Sequence, residues 1–267
     1  MSTEPLPWHA SVWRDLLAQY RLDRLPHALL FKGSDGLGKR ALAERLAAFL
    51  VCTARGQAED ACGNCPACHT RRAGSHPDVR HVEPEEDGKA ILIDAVREAT
   101  ERSVLAPEGQ GYKVLVVVPA DRMTHGAANA LLKTLEEPAG RAVIMLISSR
   151  PESLPATIRS RCQQVLFRTP DTRQALDWLA TQPDGDKACE VLDIAKGGPL
   201  LALRMCSDGT AEHIGEMRQA LRDVLNGRAS PIAVADAWHK RDSSFVLGFI
   251  AQWASDLVRL KASDSPP

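Results

Sequence analysis

The chain has 267 residues, 44% hydrophobic and 25% charged, enough for a sizeable core divided among about two or three units. Its 33 basic and 34 acidic residues leave a net charge of −1, which excludes nucleic-acid binding through overall charge and leaves only a local patch to provide it. The first seven residues are polar and proline-rich with no apolar signal region, and no run reaches the length of a membrane span; the expectation is a cytoplasmic protein.

Residues 8–22 predict an amphipathic helix with Val12, Leu16, Leu17 and Tyr20 on one face. The apolar run 28–31 predicts a strand leading into Phe31-Lys-Gly-Ser-Asp-Gly-Leu-Gly-Lys-Arg40, and Leu42, Leu46, Phe49 and Leu50 beyond it carry helical spacing. Strand, glycine-rich loop and helix satisfy all but the last position of a phosphate-binding loop. Gly33, Gly36 and Gly38 let backbone N–H groups curl round phosphate oxygens, the helix N-terminus adds positive potential, and Lys39 would reach the outer phosphates. The last position calls for a Ser or Thr hydroxyl on Mg²⁺. This chain has Arg40, whose guanidinium offers a metal no lone pair.

Residues 52–76 are rich in Gly, Cys, His and Arg and lack periodicity, which predicts an insertion between a helix and the next strand. Within it Cys62-x2-Cys65-x2-Cys68, with Cys52 ten positions earlier, offers four thiolates to a closed, structural, tetrahedral Zn²⁺ site. An iron–sulfur cluster and unliganded buried cysteines are the alternatives. His69 and His76 are available as substitute ligands and otherwise read as surface histidines. Cys162, Cys189 and Cys206 stand among apolar neighbours and read as core filling.

A short strand is expected at 79–83, and Asp94 is the expected cap of a helix running to about Leu105. The apolar run 113–118 predicts a strand buried on both faces. Thr124 can cap a helix with the stripe Ala127, Leu131, Leu132 and Leu135, stopped by Pro138. Strands follow at 142–147 and 163–167. Strands alternating with helices predict a parallel α/β sheet. After Pro170 the pattern is helical throughout, at about 172–180, 187–195, 199–205, 211–225, 231–239 and 245–260, with a polar tail at 263–267.

An ATPase also needs an Asp-Glu pair at the end of a second strand, to hold Mg²⁺ and polarise water. Val118 and Pro119 stand there, and Asp121 lies beyond the strand end as an expected loop or helix-entry residue. Hydrolysis by this chain is therefore not expected. Nucleotide binding without hydrolysis, and a loop kept only as a turn, both remain. Ser160-Arg161-Cys162, with Arg159 before it, puts an arginine at a sheet rim, which taken alone reads as a surface residue.

Taken together, residues 129–138 (Asn-Ala-Leu-Leu-Lys-Thr-Leu-Glu-Glu-Pro), Ser160-Arg161-Cys162 and the four-cysteine insertion resemble the bacterial clamp-loader subunits of the AAA+ superfamily, over roughly residues 8–206. Among them the chain is similar to the delta prime type of DNA polymerase III rather than the ATP-hydrolysing tau/gamma type. The latter has Ser or Thr at the place of Arg40, Asp-Glu at the place of Val118-Pro119, and a sensing arginine where Gly197-Gly-Pro-Leu200 has leucine. The resemblance implies a RecA-like AAA+ domain over 1–168 with its zinc module at about 52–76. A helical lid follows over 169–208, then a helical collar over 209–267 that is shorter than usual in the family. It implies a stator that does not hydrolyse ATP and assembles with gamma/tau and delta. Arg161 would be donated in trans to a neighbouring gamma subunit's ATP, Arg159 would stay a surface residue, and the complex would load the sliding clamp on primer-template DNA. Gly33, Gly36, Gly38 and Lys39 would then be a vestigial nucleotide site. The competing expectations are an active ATPase with an atypical Mg²⁺ site and a stand-alone zinc-dependent DNA-binding protein.

Overall fold

The computed structural model describes residues 5–86, 88–103, 111–137, 140–239 and 243–262. Five strands, β1 (Ala28–Lys32), β2 (Val79–Val82), β3 (Lys113–Val117), β4 (Ala142–Ser148) and β5 (Gln163–Leu166), form one parallel sheet in the order β2-β3-β4-β1-β5. The three apolar runs take its interior because a parallel sheet is covered on both faces, and side chains of alternate parity serve opposite faces. Leu29, Phe31, Val114, Val116, Met145 and Ile147 pack on one side with α1 (Ala10–Arg21) and α2 (Lys39–Val51). Leu30, Leu115, Val117, Ile144 and Leu146 pack on the other with α4 (Ile93–Ser103) and α5 (His125–Glu136). A seven-residue helix, α3 (Pro66–Arg72), lies in the cysteine-rich insertion, where no periodic element was expected.

Most expected elements are present, with local corrections. The first helix begins after a 3-10 turn at Pro7–His9; Leu16 and Leu17 are buried as expected, Val12 and Tyr20 pack partly buried against the same core, and Trp13 joins them as a further buried member. Asp94 does not cap α4, which already starts at Ile93 and places Asp94 in its first turn; Leu105 lies outside the described residues. Thr124 does cap α5, its side chain accepting a hydrogen bond from the Ala127 N–H at 3.2 Å. Pro138 and the tail 263–267 also lie outside the described residues.

The chain divides into two compact units, Met1–Ala175 and Leu176–Pro267. The segment α7 (Thr172–Leu179) runs across that boundary. The second unit contains α8 (Gly185–Glu190), α9 (Pro199–Ser207), α10 (Thr210–Leu225), α11 (Pro231–Trp238) and α12 (Ser243–Ala262) around a small core of Ile214, Met217 and Phe249. The helix expected at 187–195 ends early, at Glu190. Residues 191–197 continue as turns, and Lys196 and Gly197, both at positive φ, close them.

Candidate functional site: glycine-rich loop, cysteine cluster and Arg161

The loop between β1 and α2 has the left-handed glycines such a turn needs, and its geometry is used up internally. Gly38 is left-handed (φ 78°), and Leu6 and His9 occupy the space a side chain there would take. Gly33 (φ 150°) faces the backbone of Phe167: a Cβ would lie 2.5 Å from that carbonyl oxygen. A backbone atom in a sheet connection cannot yield as a side-chain tip can. Gly33→Ala should therefore lower stability by about 1–3 kcal/mol, read as a lower midpoint in urea denaturation.

Lys39 does not project into open space. Its Nζ donates to the carbonyls of Gly33 (2.8 Å) and Ser34 (2.6 Å) and to Ser149 Oγ (3.0 Å). Burial lowers its pKa from the ordinary lysine value, with Asp35 and Asp121 partly opposing. The next residue, Arg40, turns to Glu83 just past β2, Nη1 donating to Oε2 at 3.0 Å. From the N-terminal side, Trp8 Nε1 and His9 Nε2 both donate to the Leu37 carbonyl, at 3.0 and 2.7 Å. His9 is buried, which holds its imidazole pKa below the ordinary value, and it meets Phe167 edge to face.

Asp121 lies in the 3-10 turn Ala120–Arg122 between β3 and α5, where a loop or helix-entry residue was expected, and its carboxylate is fully engaged there. Its side chain is 5% exposed and accepts from Ser148 Oγ (2.8 Å) and the Ser149 N–H (3.2 Å), and it pairs with Arg150 (3.4 Å). The acid that could have approached a metal from the β3 side is thus committed to the end of β4. Nothing in local sequence announces this, because the partners are 27 to 29 positions away.

The insertion brings Cys52, Cys62, Cys65 and Cys68 together with their sulfurs all within 4.8 Å of one another. Cys52 and Cys65 Sγ are 3.9 Å apart, against about 3.8 Å for two ligands of a tetrahedral zinc with ~2.3 Å Zn–S bonds. All four thiols are free and three are buried. Burial raises Cys52 and pushes Cys68 up to about 12. At Cys65 hydrogen bonds involving Thr53 and Cys68 outweigh burial and bring the thiol down to about 5. Their surroundings therefore do not ionise all four, and a divalent cation among them would supply the missing charge. The donor set and spacing fit zinc. His69 and His76 are not members of this cluster. His76 is buried and accepts through Nδ1 from the Asp78 N–H.

Glu44 of α2 ties this module to the sheet edge, pairing with Arg71 (3.7 Å) and His81 (2.7 Å). Burial alone would raise its pKa, but the hydrogen bond and charge of His81, with Arg40 and Arg71, hold the carboxyl below the usual value. Among the remaining cysteines, Cys162 fills core as expected, and burial pushes its thiol up to about 11. Cys189 and Cys206 are only half-buried, a correction to the expectation.

Arg161 follows the four-residue helix α6 (Ala156–Arg159). Its Nη1 donates to the Thr157 carbonyl at 3.0 Å and its Nη2 lies 2.7 Å from Glu136 Oε1, with 37% of the side chain exposed. The core residues Ile158 and Cys162 fix the backbone on either side. The arrangement leaves a part-exposed guanidinium at the surface of the sheet domain, held by one carbonyl and one carboxylate.

The family model described as "DNA polymerase III, delta subunit" matches residues 8–171. The chain is 37% identical over 258 residues to DNA polymerase III subunit delta′ of Pseudomonas aeruginosa, covering 95% of this chain and 77% of that protein. It is 33% identical over 259 residues to the delta′ subunit of Haemophilus influenzae, covering 96% and 77%. Among solved structures, a DNA polymerase III gamma subunit-related protein of Thermotoga maritima is 21% identical with a TM-score of 0.48, covering 90% of this chain and 76% of that one.

Proposed function

The chain belongs to the delta′ family of DNA polymerase III clamp-loader subunits, and on that premise we propose that it is the stator: a subunit that hydrolyses no ATP itself and lends Arg161 to a neighbour's ATP site. The observation that carries the first half is Lys39. Its ammonium is satisfied by two carbonyls of its own loop and by Ser149, so a phosphate would have to displace bonds already made. Arg40 held by Glu83 and Asp121 held by Ser148, Ser149 and Arg150 leave neither Mg²⁺ contact. Leu6, Trp8 and His9 close over the loop.

In this reading the partners are gamma/tau and delta, and through the complex the sliding clamp and primer-template DNA, in the cytoplasm. The sheet domain ends near residue 168, followed by lid (169–208) and collar (209–267). Zn²⁺ on Cys52, Cys62, Cys65 and Cys68 would be structural, since four protein ligands leave no open position. Among the described residues no helix is long and apolar enough to cross a membrane.

The test is turnover by the purified chain with Mg²⁺-ATP. The expected result is no hydrolysis above background, unchanged by Lys39→Ala. Turnover that this substitution abolishes would replace the stator by an active ATPase with an atypical Mg²⁺ site.

A further inference from the structure

We infer that Glu136 is the positioning residue of Arg161: its carboxylate holds the guanidinium in the orientation in which it meets a phosphate of the adjoining subunit. The inference rests on the proposed trans-acting role of Arg161.

Two independent observations carry it. The first is geometric. Thr157 O accepts from Nη1 at 3.0 Å and the Glu136 carboxylate lies against Nη2 as an ion pair (2.7 Å to Oε1), so one hydrogen bond and one charge contact hold the guanidinium, and among the described residues no other acceptor takes its remaining N–H groups. Both anchors stand on rigid ground, because Leu135, beside Glu136, and Ile158 and Cys162, flanking Arg161, belong to one buried cluster. The pair joins two elements of the sheet domain through packed neighbours, not a loop tip.

The second is a local rule that the sequence breaks. Glu136 is the last residue of α5 and Glu137 its C-cap, so two acids sit where the helix dipole favours cations. Departures of this kind concentrate where function outweighs local stability. What Glu136 faces is Arg161. The pair is half-exposed (37% and 50%), a setting in which ion pairs contribute little to folding, so stability does not account for it. A flexible arginine without the carboxylate would have to be ordered each time a phosphate arrived, and misplacement of a group on the order of 1 Å can cost up to about a hundredfold in rate.

The experiment uses the clamp loader reconstituted with gamma and delta subunits, reading kcat and KM for DNA-stimulated ATP hydrolysis, with Arg161→Ala run in parallel. Glu136→Ala should lower kcat about three- to tenfold at unchanged KM and unchanged assembly. Glu136→Gln, which keeps the size and removes the charge, should lose about as much as Glu136→Ala, while Glu136→Asp, which keeps the charge, should recover part of the rate. Unchanged kcat in Glu136→Ala beside a depressed Arg161→Ala overturns the inference alone. A faster Glu136→Ala complex overturns it too, because Glu136 would then be restraining Arg161. A Glu136→Gln complex at the wild-type rate overturns the charge contact as the aligning element. An Arg161→Ala complex with normal activity removes the trans-acting arginine, and the inference with it.

Discussion

Replacing Arg161 with alanine should leave the complex assembled and slow its DNA-stimulated ATP hydrolysis by about tenfold or more. Loss of one preorganised donor to developing charge costs roughly 10²–10³ in rate at the affected site. In a cycle that needs every site to fire, the slowest sets the pace. The side chain is part-exposed and its ion pair with Glu136 joins two surface-facing groups. Such a pair is worth about 0–1 kcal/mol, so the midpoint of thermal unfolding should move by only a few degrees. Lysine should not restore the rate, because an ammonium cannot reproduce the planar fork that Thr157 and Glu136 align. Normal ATPase and clamp loading with Arg161→Ala would sink the trans-acting role while leaving the family assignment untouched.

The second large effect is expected at the cysteines. The purified chain should carry about one zinc per molecule, and Cys65→Ser should lose it. The cluster around the four sulfurs contains Ala61 and Ala67 and no larger apolar side chain. Burying such small groups yields about 0.8 kcal/mol per methylene equivalent, far below the ~10–16 kcal/mol that structural zinc contributes to small metal-dependent folds. A zinc ion on the four sulfurs would therefore decide whether residues 52–76 hold their shape. Without it, side-chain tethers such as Arg45 with Asp60 (2.6 Å), Arg71 with Glu44 (3.7 Å), Arg21 with Glu59 (3.5 Å) and Arg55 with Tyr20 (2.8 Å) remain, and none holds the four cysteine-bearing turns against one another. Limited proteolysis of Cys65→Ser should cut inside the insertion while the sheet domain stays protected, since its two core clusters do not include the cysteine cluster. Iron in place of zinc, or no metal in a folded and protease-resistant insertion, would overturn the assignment.

The sequence by itself determined a great deal. The uninterrupted apolar runs that became β1, β3 and β4 could only be buried strands, and Thr124 announced the start of α5 through its own side chain. The cysteine spacing pointed to four thiols brought together, as they are, and Arg40 and Val118-Pro119 stand in the sequence where a phosphate loop would have its metal contacts. Each of these signals is local: a period, a cap or a spacing acts within a few residues.

Only the tertiary structure decided which side chains meet. It put β1 between β4 and β5, seated Trp8 and His9 on Leu37, closed Lys39 onto Ser149, turned Arg40 to Glu83, and committed Asp121 to the end of β4. It also set Glu136 against Arg161. Periodicity tells a residue which face of its element it occupies, whereas the order in which crossover connections lay parallel strands side by side decides the neighbour across that face. Two half-exposed charges from different elements leave no trace in either segment, because neither needs the other to form its helix or turn.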